Sequence, residues 1–211
     1  MLGMQNADGG WAAFDVNNNY LFMNKCPFSD LDALCDPSTA DVTGRVMEAF
    51  GILCETKYCQ ENIAFRKRLI LAMHHGINYL ASIQESNGSW WGRWGVNYVY
   101  GTSNVLCALA YSDGGRVETM VNPALKWLKK VQRADGGWGE CLATYKYPER
   151  AGTGGESTAS QTAWALMGLL AHLPPMDESI KKGVAFLIDS QVNFGGKGFS
   201  WIEPSFTGTG L

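Results

Sequence analysis

The sequence predicts an all-α fold, an incomplete α/α barrel (toroid) of paired inner and outer helices. Three observations lead there. A turn of the form Gln…Gly-x-Trp recurs four times, helical runs lie between the turns, and those runs alternate between nearly uncharged and one-sided basic. A helix that is apolar on most sides is buried, while a one-sided helix lies at the surface. Alternation of the two describes concentric rows. A straight solenoid of the same helix pairs is the alternative reading.

The turns come first, because internal repetition decides the architecture. They are Gln5–Trp11, Gln84–Trp90 and Gln132–Trp138, with a fourth, expanded unit running from Gln191 to Trp201. Tyr79-Leu80, Trp127-Leu128 and Phe186-Leu187 each precede a glutamine at the same offset. Asp/Asn-Gly stops a helix, since glycine enters the left-handed region at little cost. A glutamine amide can donate to carbonyls left free at a helix end and accept from the amides of the next helix. The tryptophan then closes the junction. Read this way, the turns are staples and carry no chemistry.

Six helices are predicted. The first covers 41–54, with Val42, Val46, Phe50 and Leu53 on one face. The second covers 62–83 and the third 103–111. The fourth is expected to start at Asn122-Pro123, a capping residue followed by proline at the first helical position, and to end at Val131. The fifth covers 158–173 and the sixth 177–190. Paired basic residues mark the second (Arg66, Lys67, Arg68), fourth (Lys129, Lys130) and sixth (Lys181, Lys182), which makes these the outer row.

Composition narrows the function classes. The net charge of −3 supplies no basic field for nucleic acid. Six cysteines form no Cys-x-x-Cys and have no histidine spacing for zinc, so they read as core thiols. No apolar run reaches the roughly 20 residues of a spanning helix, and no signal peptide precedes the first turn. Met1 enters a turn directly and Leu211 ends in a Gly-rich stretch. Residues 1–211 are therefore expected to be part of a single barrel domain.

Three long connections could carry chemistry: Phe14 to Asp41, Trp90 to Thr102, and Gly139 to Ser160. The second holds Trp90, Trp91, Trp94, Tyr98 and Tyr100, with Arg93 among them. One reading wedges these rings between helices, with Arg93 stacked on a tryptophan. The other makes them an aromatic wall whose π-faces stabilise a cation.

These residues resemble the squalene–hopene cyclases. The resemblance rests on the four turns, on Pro27–Asp30, Asp36–Thr43, Gly92–Thr102 and Ser160–Leu166, and it covers essentially the whole chain. It implies a C-terminal barrel segment of a triterpene cyclase, an isomerase-type enzyme. Such enzymes convert squalene to hopene or hopanol by protonation-initiated cationic polycyclisation, without metal or organic cofactor. It also implies attachment to one membrane leaflet on the cytoplasmic side, and a homodimer of the complete enzyme. The family's acid, in an Asp-x-Asp-Asp motif, is absent from these residues, so the segment alone is expected to be inactive.

Site residues carry over by position. Trp94 matches an aromatic that stabilises a ring cation. Asp41 and Arg45 match positions adjoining the acid, where many bacterial members have histidine in place of Arg45; their spacing is also that of an ordinary i,i+4 ion pair. Phe14 matches a position often held by tyrosine. Phe28 and Ser29 match a constriction leading to the cavity, and Tyr100 a cavity-side ring. Two other readings stay open. A protein-prenyltransferase barrel would need an Asp/Cys/His zinc set that His74, His75 and His172 do not complete. A non-catalytic scaffold would bind lipid or protein through the same rings.

Overall fold

Seven α-helices follow one another in the computed structural model, which describes residues 1–25, 34–196 and 198–203. They are α1 (Ala40–Glu55), α2 (Lys57–Glu61), α3 (Ile63–Ser82), α4 (Tyr98–Leu109), α5 (Gly115–Val131), α6 (Ala159–Leu170) and α7 (Glu178–Asp189). Helices α1, α4 and α6 pack side by side, and α3, α5 and α7 each lie against one of them. This is a double row of helices, an arc of an α/α barrel.

The charge pattern explains the rows. Helices α4 and α6 contain no Asp, Glu, Lys or Arg, and α4 is buried at nearly every position from Tyr98 to Leu109. Close approach in the inner row depends on small residues: a Cβ on Gly44 of α1 would stand 2.8 Å from the Asn104 carbonyl oxygen of α4. The outer α5 buries a single stripe, Val117, Met120, Val121, Ala124 and Leu128, and exposes its basic residues.

Two sequence expectations need correction, and one element is added. Helix α5 begins at Gly115, so Pro123 lies inside it and does not open it. An interior proline costs about 3 kcal/mol. The stripe running through it offsets that, at roughly 1.5–3 kcal/mol for each large side chain buried. Helix α4 begins at Tyr98, five residues before the expected start at 103, so part of the aromatic connection is helical. The five-residue α2 was not foreseen; Thr56 caps it by accepting from the Cys59 amide.

The turns staple as expected, with a different target. Gln5 Nε2 donates to Gly9 O and Ala72 O, Gln84 Nε2 to Gly88 O and Met120 O, and Gln132 Nε2 to Gly136 O and Ser179 O, all at 2.8–2.9 Å. Each bond to a neighbour thus reaches a carbonyl within an outer helix, on α3, α5 or α7; only Ser179 lies near that helix's start. Each turn glycine sits at φ +92°, +94° or +89° with its Cα facing the same helix. An added Cβ would lie 2.6 Å from the backbone of His75, Pro123 or Lys182. Pro123 therefore sits at the contact point of the second staple.

The tryptophans close each unit. The indole N–H of Trp11, Trp90 and Trp138 donates to the carbonyl ten residues earlier, at Met1, Leu80 and Leu128. Their backbone amides donate to Thr43, Thr102 and Thr162, the fourth or fifth residues of α1, α4 and α6. All three rings are at most 1% exposed. In the expanded fourth unit Trp201 Nε1 donates to Leu187 O at 2.8 Å. The unit pairs β3 (Val192–Asn193) with β4 (Phe199–Ser200) as a short antiparallel hairpin. A second antiparallel pair, β1 (Trp138–Glu140) with β2 (Gly154–Thr158), frames the 139–160 connection. Cys54, Cys59, Cys107 and Cys141 are free thiols, and Cys35, Cys59 and Cys107 are buried.

Candidate functional site

The N-terminal ends of the inner helices α1 and α4 open onto a cavity of about 470 Å³. Phe14, Asp41, Arg45, Trp94 and Tyr100 line it, over an apolar floor from Trp11, Val42 and Val46. Five of the seven residues singled out from the sequence thus meet at one place. The other two, Phe28 and Ser29, lie outside the described residues.

Trp94 is the centre of the arrangement. Phe14 meets it edge-on, ring centroids 5.6 Å apart at 88°, although Phe14 itself is 71% exposed. The Arg93 guanidinium stands 5.5 Å from the Trp94 centroid, so the stacked-arginine reading of this loop is realised. The Trp94 indole nitrogen is buried and has no hydrogen-bond partner among the described residues. Tyr100, in the first turn of α4, packs at 4.8 Å against Trp164 of α6.

The remaining rings of the loop do not form a continuous wall. Trp90 and Tyr98 are core residues, and burial pushes the Tyr98 phenol up to about 12, so it stays protonated. Trp91 packs edge-on against Tyr145, centroids 5.9 Å apart. The connection therefore divides its aromatics, with Trp94 and Tyr100 turned to the cavity.

Asp41 is 1% exposed and lies in the first turn of α1, where the helix dipole favours a negative charge. Its Oδ2 accepts from the backbone amides of Trp94 at 2.8 Å and Arg93 at 3.0 Å. Its Oδ1 is buried without a hydrogen-bond partner among the described residues. The i,i+4 ion pair between Asp41 and Arg45, the alternative that their spacing allowed, is not made. Arg45 Nη1 pairs instead with Glu48 at 2.8 Å, one turn further along the helix and half in solvent. Two backbone donors 52 and 53 residues away take the carboxylate, and the i,i+3 partner takes the guanidinium.

Sequence reading missed the groups that hold this loop from the other side. The Tyr145 hydroxyl donates to the Gly95 carbonyl at 2.9 Å and lies 3.3 Å from that of Arg93. Glu140 binds amides at the start of α4. One signal was available: Glu140 stands two residues after a turn tryptophan, inside a connection already marked as functional.

The squalene-hopene cyclase C-terminal domain model matches residues 1–211. Enfumafungin synthase of Hormonema carpetanum is 46% identical over 227 residues, covering 100% of this chain and 17% of that protein. Squalene hopane cyclase of Aspergillus fumigatus is 46% identical over 236 residues, covering 98% of this chain and 32% of that protein. This chain therefore spans at most about a third of the length of these relatives. In fold, ent-copalyl diphosphate synthase from Streptomyces platensis superposes with a TM-score of 0.61 at 20% identity, over 89% of this chain and 30% of that one. The chain belongs to the squalene-hopene cyclase C-terminal domain family.

Proposed function

We propose that the complete polypeptide carrying this segment cyclises squalene to hopene or hopanol, and that the segment supplies part of the wall of its reaction cavity. The supporting observation is the meeting of Trp94, Phe14 and Tyr100 with the buried carboxylate of Asp41 around one cavity. A carbocation in a dry site has no counter-ion, and an aromatic face near it supplies about 2 kcal/mol or more when desolvated. Trp94, with Phe14 at its edge, is the stabilising ring. Tyr100, Phe14, Phe28 and Ser29 contact the hydrocarbon. Asp41 adjoins the acid and, through the Trp94 amide, ties the acid's surroundings to the cation-stabilising ring. Arg45 adds positive charge on the same side.

Protonating an alkene needs a strong acid, and no Asp-x-Asp-Asp stands among these 211 residues. That group belongs to the rest of the polypeptide, as do the helices that complete the single barrel domain. No helix of the described residues is long and apolar enough to cross a membrane. The exposed rings of Tyr20 and Phe22 support contact with one leaflet; its being the cytoplasmic one belongs to the same reading, as does a homodimer of the complete polypeptide.

The test is incubation of the complete polypeptide with squalene and analysis of products by gas chromatography and mass spectrometry. Pentacyclic product is expected, and its absence would overturn the reading. The 211-residue chain alone should yield none; turnover by it would overturn the placement of the acid elsewhere.

A further inference from the structure

Helix α4 carries the cavity ring Tyr100, yet it begins without a cap of its own. Asn97, at its N-cap, makes no side-chain bond to the first amides. Its carboxamide is used elsewhere: Oδ1 accepts from Gly92 N at 3.3 Å and Nδ2 donates to Thr144 Oγ1 at 3.4 Å. Two amides at its start are held from the next repeat. Glu140, at the end of β1 and 2% exposed, accepts from Val99 N at 2.9 Å and Asn97 N at 3.2 Å through Oε2. Its Oε1 accepts from Gly152 N at 3.0 Å.

Glu140 is itself clamped. Gln161, fully buried in the first turn of α6, accepts from the Glu140 amide at 2.6 Å and donates to its carbonyl at 3.0 Å. Burial raises the Glu140 carboxyl above its ordinary range, and the three backbone amides hold it back. The arrangement recurs. Glu203 follows Trp201 by two residues, as Glu140 follows Trp138, and accepts from Ser160 N at 2.7 Å. Ser160 is the second residue of α6, as Val99 is of α4. In the third and fourth units a carboxylate two residues beyond the turn tryptophan thus binds an amide at the start of the preceding inner helix.

At α4 this cap acts on the cavity. The amides of Arg93 and Trp94 are held by Asp41 from α1, and those of Asn97 and Val99 by Glu140 from beside α6. The loop carrying Trp94 is suspended between two buried carboxylates, and Tyr100 follows the second anchor directly. We propose that Glu140 is a positioning residue for cyclisation, acting through Asn97 and Val99 to set Trp94 and Tyr100 against the migrating cation; this rests on the cyclase reading above. A cation less well held by its aromatic neighbour loses a proton early. The electron pair of an adjacent C–H bond becomes an alkene, the proton passes to water, and a partially cyclised product leaves.

The experiment uses the complete polypeptide labelled with 5-fluorotryptophan, with the Trp94 resonance assigned through Trp94→Phe. In Glu140→Gln the Trp94 signal should shift or broaden while those of Trp90 and Trp138 hold. Turnover should fall about tenfold to a hundredfold, as expected for sub-ångström misplacement. KM should stay within about twofold, and the share of partially cyclised products should rise. Glu140→Asp, which keeps the charge, should recover part of each effect and decides the matter where Glu140→Gln does not fold. An unmoved Trp94 signal with an unchanged product ratio in a folded variant overturns the proposal. So does a loss of turnover that follows the unfolded fraction at constant product ratio. Where the unsubstituted polypeptide makes no cyclised product, the cyclase reading fails by itself and the Trp94 signal alone decides the positioning role.

Discussion

The Gln132–Trp138 turn and the Arg93–Val99 loop hold the same kinds of residue and use them in opposite ways. In the turn, the glutamine amide, the indole N–H and the Trp138 backbone amide all have protein partners. The ring is sealed in the core. In the loop, backbone groups are held by residues of neighbouring repeats, while the Trp94 indole nitrogen has no partner among the described residues. Its ring borders a cavity. A tryptophan that spends its polar and apolar surface on the fold cannot also serve a ligand. The difference separates sealed from cavity-lining tryptophans in a chain with 8 of them.

Substitutions can break this contrast. The largest effect is expected for Trp138→Ala, which should lose about 3–5 kcal/mol of unfolding free energy in urea titration. A loss under about 1 kcal/mol would remove the staple reading. Trp94→Ala should act the other way round. Turnover of squalene by the complete polypeptide should fall by about a hundredfold, a barrier increase of ~2.7 kcal/mol, while the melting temperature moves little. Equal destabilisation by both substitutions would erase the distinction.

Smaller effects sharpen it. Gly136→Ala places a Cβ against the Lys182 carbonyl at positive φ and should cost about 1–3 kcal/mol. Gly195→Ala, which also has positive φ but meets nothing, should cost less in the same titration. The smallest effect concerns pH. His172 Nε2 lies 2.8 Å from the Leu106 carbonyl, and burial lowers the His172 pKa against the pull of that bond. The unfolded chain then binds the proton more readily, so stability is full above roughly pH 7 and falls as pH drops through about 6.5. His172→Gln should flatten that part of the pH–stability curve, and an unchanged slope would show that His172 does not contribute to it.

Legibility in the sequence followed the range of the interaction. The outer helix α3 was readable to within one residue, because Asn62 caps it by accepting from Phe65 N and its pattern is local. Helix α5 was misread at Pro123, where a strong local signal lost to a stripe buried by distant helices. An Asp41–Arg45 pair was the local alternative that the i,i+4 spacing allowed. It failed because two amides 52 and 53 residues away claim the carboxylate. For Glu140 the sequence offered its place two residues after a turn tryptophan but not its partners, which lie 41 and 43 residues back along the chain.

The Gln…Gly-x-Trp turns show where the boundary falls. The sequence alone determined that helices pair, where most of them stop, and which rows carry charge, because turn glycines and helical periodicity act over a few residues. Only the tertiary structure decided which of the clustered rings faces the cavity and what holds it there. Those outcomes depend on buried carboxylates and small-residue contacts brought together from separate repeats, where one amide partner excludes another.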